Sequence, residues 1–146
     1  MSDFRKLTDT VSASPQITPA EVEEAARRGF TMIVNNRPDG EEPDQPDSAS
    51  IESAARQAGL EYRAIPISGG AFGMADVDEM ARALADASGP VLAFCRSGTR
   101  STFLWSMAQA KAGLDPDEIA DIASGAGYDV SPIRPTLETL ARQADG

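Results

Sequence analysis

The stretch Val91-Leu92-Ala93-Phe94-Cys95-Arg96-Ser97-Gly98-Thr99-Arg100-Ser101 reads as a buried apolar strand, a short polar loop and the start of a helix. The loop opens with the only cysteine of the chain, contains a glycine, and closes on an arginine and a serine. That order of residues places a thiol at the floor of an anion-binding cup. Backbone N–H groups and a helix N-terminus favour negative charge there. The same field favours the thiolate over the thiol.

Outward from this stretch, strands and helices alternate. Gly89-Pro90 turns into the strand, and a helix over about 75–87 precedes the turn. Short apolar runs rich in β-formers predict strands over 30–35 and 60–67. Between them, Ser48 or Ser50 starts a helix that runs to about Ala58 and stops at Gly59. Earlier still, Thr18 as N-cap, Pro19 in the first turn and Glu21 three residues after the cap start a helix that ends at Gly29. Residues 1–16 hold one or two short edge strands. After the cup, helices are expected over about 101–112, from Asp115 to the glycines at 125 and 127, and over about 132–143. The alternation implies right-handed crossovers and an α/β architecture, with a short, mainly parallel central sheet flanked by helices. The last helices form a cap on one side.

A length of 146 residues suggests one domain, 1–146, with one core. The hydrophobic fraction, 41%, is ordinary for a globular chain. No apolar run approaches the roughly 20 residues that span a bilayer. Met1 to Lys6 are not followed by an apolar segment, so no secretory signal is expected. One cysteine forms no internal disulfide, and the expectation is a cytoplasmic protein. The net charge of −10 argues against nucleic acid as a partner. It also requires positive charge to be concentrated wherever an anionic ligand binds. The chain has no histidine. That removes Cys-His and Ser-His dyads and the commonest transition-metal ligand, so no metal site and no cofactor are expected. Any nucleophile has to be activated without imidazole.

Ligands of open α/β sheets bind outside the C-terminal ends of the strands. Cys95 lies at such an end. So do the loop that begins Asn35-Asn36-Arg37-Pro38-Asp39-Gly40 and the segment Ser68 to Gly73. Parallel neighbouring strands would bring all three to one rim. The candidate catalytic residues are Cys95, Arg100, Ser101 and Asp39. The candidate anion-binding residues are Arg96, Ser97, Gly98, Thr99 and Arg37. Each has a plainer reading beside the functional one. Cysteines are mostly small buried hydrophobes, yet the polar run after Cys95 could not be buried without partners, and a bound oxyanion would satisfy it. Positive charge is unfavourable at a helix N-terminus, so a ligand anion explains Arg100 better than solvation does, and its fork suits an oxyanion. Ser101 is either an N-cap or a hydrogen-bond donor to the Cys95 sulfur. Arg96 either lines the cup or points to solvent. Asp39 is either a proton donor to a leaving oxygen or a turn residue of Pro-Asp-Gly. Asp76 and Asp78 read as helix-start acids, and Phe103, Trp105 and Met107 as core.

Strand, cysteine, loop, arginine, serine and helix together resemble the phosphate-binding loop of the cysteine-dependent phosphatases, of the tyrosine and dual-specificity kind. More closely, the chain resembles a bacterial family of small dual-specificity-phosphatase-like proteins, the phosphatase-like domain of beta-lactamase-hydrolase-like proteins, some members of which are labelled sulfur transferases. The matching text is Gln16-Ile17-Thr18-Pro19, Val34 to Glu42, Ile65-Pro66-Ile67-Ser68-Gly69-Gly70, and Cys95 to Ser101, within about residues 10–140. The resemblance implies a cysteine-phosphatase fold and a phosphatase-like hydrolase acting on a phosphorylated small molecule or protein. Cys95 would be the nucleophile, Arg100 the phosphate clamp, Ser101 the hydroxyl that stabilises the thiolate, and the amides of Arg96 to Arg100 the cradle. The phosphatase pattern has five residues between cysteine and arginine, with histidine before the cysteine. Here four intervene and Phe94 precedes Cys95. The spelling from Cys95 to Ser101 is also similar to the active-site loop of rhodaneses, which has four intervening residues and carries a persulfide. Sulfur transfer through a Cys95 persulfide is therefore the alternative function, and a non-catalytic anion-binding module is a third. The residues fix neither the substrate nor the oligomeric state.

Overall fold

The computed structural model describes residues 2–145. Its elements, in chain order, are β1 (Arg5–Lys6), β2 (Val11–Ser14), α1 (Pro19–Arg27), β3 (Met32–Asn35), α2 (Ser48–Gln57), β4 (Glu61–Ala64), α3 (Met74–Asp86), β5 (Val91–Phe94), α4 (Thr99–Lys111), α5 (Pro116–Gly125), a 3-10 turn (Ser131–Ile133) and α6 (Arg134–Asp145). The five strands form one sheet in the order β1-β2-β5-β3-β4. All pairs are parallel except the β1–β2 hairpin. One expectation changes. Residues 11–14 do not form an edge strand: they pair with β5 and lie inside the sheet. Every residue of β2 is buried, and its small Ser12, Ala13 and Ser14 let helices close over it.

The inner strands are apolar on both faces, as parallel strands covered on both sides must be. The two-residue strand period sorts their side chains into two cores. Ile33, Leu92 and Phe94 meet Val22 and Ala25 of α1 and Ile51 and Ala55 of α2. Met32, Val34, Val91 and Ala93 meet α3, α4, α5 and α6 on the opposite face. Helix α4 is buried nearly all round, so it runs through the second core rather than over it. Thr102 and Ser106 sit in that core with their hydroxyls donating to the carbonyls one turn back, Gly98 O at 2.8 Å and Thr102 O at 2.7 Å. Trp105 and Met107 are core residues and Phe103 packs against them. No helix among the described residues is long and apolar enough to cross a membrane.

Local chemistry sets the boundaries. Thr18 and Glu21 form the reciprocal capping pair that opens α1. Helix α2 is capped by Asp47, whose carboxylate accepts from Ser50 N at 2.8 Å, and so starts from the residue before Ser48 rather than from Ser48 or Ser50. Asp76 accepts from Gly73 N at 3.0 Å at the start of α3. Strand β4 ends before Pro66, which has no N–H to give. The N–H groups of Ile65 and Ile67 still reach Asn35 O and Asn36 O, at 2.9 and 3.0 Å. The C-terminal ends of β2, β5, β3 and β4 therefore share one edge, and Cys95 stands at its middle.

Candidate active site

Cys95 follows β5 directly and its N–H donates to Ser14 O, at 3.3 Å, on β2. The side chain is fully buried and forms no disulfide. The chain then turns sharply. Gly98 adopts a φ of +94°, and its N–H points back at the Cys95 sulfur, 3.1 Å away. Helix α4 begins at the next residue, two residues earlier than the sequence suggests. The first N–H groups of this helix have no carbonyl of their own helix to bond. Ser97 and Thr99 brace the turn through a hydroxyl contact of 3.0 Å and a Thr99 N–H to Ser97 Oγ bond of 3.3 Å.

Arg100 brings the three rims together. One Nη1 hydrogen goes to Ile67 O at 2.7 Å, at the end of the β4 segment. Nη1 and Nη2 also grip the two carboxylate oxygens of Glu41, each at 2.8 Å, in the β3–α2 loop. Of five guanidinium hydrogens these contacts use three. The Nε hydrogen and one on Nη2 remain, and they form the edge that suits a tetrahedral oxyanion. The Arg100 pKa is raised, first by the Glu41 hydrogen bonds and further by the charge of the nearby Cys95. Glu41, gripped by Arg100 and also by Arg37, is held down at about 2.

The β3–α2 loop is strapped over the cup by charge. Buried Arg37 gives Nε to Glu41 at 2.8 Å, Nη1 to Gln16 Oε1 at 3.0 Å and Nη2 to Glu42 at 3.0 Å. Its N–H is taken by Asn35 Oδ1 at 2.9 Å. So Arg37 holds the loop, with a hydrogen from each of its three guanidinium nitrogens given to a protein acceptor. Arg96 is exposed and pairs with Glu42 at 3.0 Å. Within this cluster the guanidinium groups of Arg37, Arg96 and Arg100 are paired with the carboxylates of Glu41 and Glu42.

Two candidates have other local tasks. The Ser101 hydroxyl donates to Asn36 Oδ1 at 2.8 Å, and Asn36 Nδ2 donates to Ile65 O at 2.9 Å. Ser101 thus ties α4 to the end of β3, and that hydrogen bond does not go to the sulfur. Asp39 accepts from Ser48 N at 2.8 Å, nine residues on at the start of α2, a contact that is neither a local Pro-Asp-Gly turn bond nor one to the cup. Other site residues were not singled out from the sequence. Glu41 and Glu42 entered the sequence reading only as part of the Val34 to Glu42 text, although Glu41 lies four residues after Arg37. Tyr128 comes from the connection between α5 and α6, remote in sequence. Its hydroxyl donates to Ser97 O at 3.1 Å, and burial is the first cause of its raised pKa.

Comparison with known proteins agrees with this geometry. Residues 3–112 match the family model described as "Beta-lactamase hydrolase-like protein, phosphatase-like domain". A beta-lactamase hydrolase-like protein of Xylella fastidiosa (strain 9a5c) is 36% identical over 138 residues, which are 94% of this chain and 32% of that protein. The chain therefore spans about a third of the length of such relatives. Among solved structures, a phosphatase candidate from Neisseria meningitidis Z2491 superposes with a TM-score of 0.85 at 35% identity, covering 96% of this chain and 99% of its own. P. aeruginosa TpbA, solved as a cysteine-to-serine variant with pTyr, shares the fold at 19% identity, with a TM-score of 0.67 over 99% of this chain and 91% of its own. The architecture is that of the cysteine phosphatases, and the chain belongs to the family of phosphatase-like domains of beta-lactamase hydrolase-like proteins.

Proposed function

We infer that the chain is a cysteine-dependent phosphatase-like hydrolase acting on phosphoesters. The observation that carries this reading is the pairing of a buried sulfur with an arginine whose inner edge is unspent while its outer edge is held by Glu41 and Ile67 O. In the proposed reaction the Cys95 thiolate attacks phosphorus and forms an S–P bond. The P–O bond to the leaving oxygen breaks, and that oxygen departs with the electron pair. Arg100 and the first-turn amides of α4 stabilise charge on the equatorial oxygens. Water then attacks the phosphocysteine, releasing phosphate and regenerating the thiolate. Asp39 is tied to Ser48 N through Oδ1, so the reading rests on Cys95, Arg100 and the loop amides. The binding of pTyr by TpbA, a protein of this fold, supports a phosphorylated substrate.

p-Nitrophenyl phosphate tests this cleanly, because p-nitrophenolate leaves without needing a proton. Release that is lost in Cys95→Ser supports the reading. No release by the wild-type protein would contradict it.

A second reading is favoured by one observation: four residues, not five, separate Cys95 from Arg100, which shrinks the ring of amides around the sulfur. A smaller cup suits a sulfane sulfur held as a Cys95 persulfide. Thiocyanate formed from thiosulfate and cyanide, in place of p-nitrophenol release, would establish that reading instead.

A further inference from the structure

Tyr128 reaches the cup from outside every sequence motif. Its ring is buried, with the Arg5 guanidinium over one face, 5.0 Å from the centroid. Its hydroxyl donates to Ser97 O. The carbonyl of Ser97 and the N–H of Gly98 belong to one peptide unit, and that N–H is the donor aimed at the Cys95 sulfur. The two ends of a single rigid plane are thus held by two side chains: the phenol at the oxygen, the sulfur at the hydrogen.

The plane needs such a hold. Gly98 is the residue that lets the chain turn here, because its φ of +94° is costly for any residue with a Cβ. The space argues the same way, since a Cβ at Gly98 would lie 2.0 Å from the Tyr128 hydroxyl oxygen. Glycine also tolerates the mirror conformation, so the 97–98 peptide is free to rotate and turn its carbonyl toward the sulfur. A carbonyl oxygen facing a thiolate is repulsive, and the cup would lose a donor. Nothing in the Cys95–Ser101 text prevents that rotation. A hydroxyl anchored on the far side of the peptide does.

We propose that Tyr128 is a positioning residue whose hydroxyl locks the Ser97–Gly98 peptide in the orientation that presents its N–H to Cys95. It acts through the backbone and touches no reacting atom. The proposal rests on the reading of Cys95 as a reactive thiolate and identifies what keeps that thiolate solvated by protein.

The experiment is the pH profile of iodoacetamide alkylation for the wild type and Tyr128→Phe. The charged and titratable groups near Cys95 include Arg100 from α4 and Tyr128, over whose ring lies Arg5 of β1. Arg100 keeps its charge across the range used, so a change between the two proteins reports on the peptide. Loss of one hydrogen bond to the thiolate moves the alkylation midpoint up by about one pH unit. The amide proton resonance of Gly98 gives a second readout. It shifts with thiol ionisation in the wild type, and the shift shrinks in the variant. A lowered melting temperature with an unchanged midpoint and an unchanged Gly98 shift would mean that Tyr128 merely packs, and would overturn the proposal. Should the wild type itself alkylate only above about pH 8.5, as an ordinary thiol does, the thiolate reading falls first and this lock falls with it. A low wild-type midpoint shared by the variant removes the lock alone.

Discussion

At the level of single residues, the site is a division of labour among arginines that look alike in sequence. Arg100 keeps its Nε hydrogen free, buried Arg37 has all three of its nitrogens tied to Glu41, Gln16 and Glu42, and Arg96 stands on the surface. Charge alone would not serve at Arg100, because a lysine offers no planar fork. Arg100→Lys is expected to weaken competitive inhibition by inorganic phosphate by about tenfold or more. Equal inhibition of both proteins would show that point charge, not the fork, holds the anion. Gly98 is the other demanding position. Gly98→Ala forces a Cβ into left-handed backbone and against Tyr128. A loss of about 1–3 kcal/mol is expected from the backbone alone, measured by urea unfolding, with the contact adding to it. The placement of Cys95 after β5 and of Gly98 at the turn was legible in the sequence because strand, loop and helix are contiguous in the chain. The partners of Ser101 and Asp39 were not, because a hydroxyl or a short carboxylate bonds whatever the fold brings near. For Ser101 that is Asn36, 65 residues away.

Between elements, the cup is closed by a strap of ion pairs running from the β3–α2 loop to the start of α4. Its pH dependence follows from Glu41. That carboxylate is held at about 2, below the ordinary value of 4.5. It binds fewer protons folded than unfolded, so its contribution to stability is whole above about pH 4.5 and fades as pH falls toward 2. Glu41→Gln should be less stable than the wild type at neutral pH, and the gap between their melting temperatures should narrow across that acid window. A constant gap from neutral pH to about pH 2 would show that the pair contributes nothing through charge. Element positions were mostly readable, since capping residues, glycine stops and apolar runs are local signals. Strand β2 was misplaced for a physical reason: a four-residue run of valine, serine and alanine carries no mark of which strands it will join. Its interior position depends on the helices that cover it. The strap was hidden likewise, because an acidic loop looks the same whether it faces water or arginine.

For the whole molecule, the dominant electrostatic fact is a net charge of −10, with Arg37, Arg96 and Arg100 gathered at one rim. An anionic substrate approaches against the global field, and the attraction acts only at short range. Salt screens the long-range part first. Raising ionic strength from about 0.01 M to about 0.1 M shortens the Debye length from roughly 30 Å to roughly 10 Å. The kcat/KM for p-nitrophenyl phosphate is expected to rise over that range before anion competition sets in. A steady fall from the lowest salt would mean that the rim, not the overall charge, governs encounter. Fold class was the most legible property of all, because alternation of strands and helices and a polar loop after a central strand leave few arrangements open. The chemistry of a lone sulfur without histidine is where those arrangements become a claim about function. Its most direct test is to mix the protein with p-nitrophenyl phosphate, quench in acid and weigh the peptide that carries Cys95. The account predicts a phosphoryl group on that peptide, absent in Cys95→Ser. Release of p-nitrophenol with the Cys95 peptide unmodified at every quench time would contradict it.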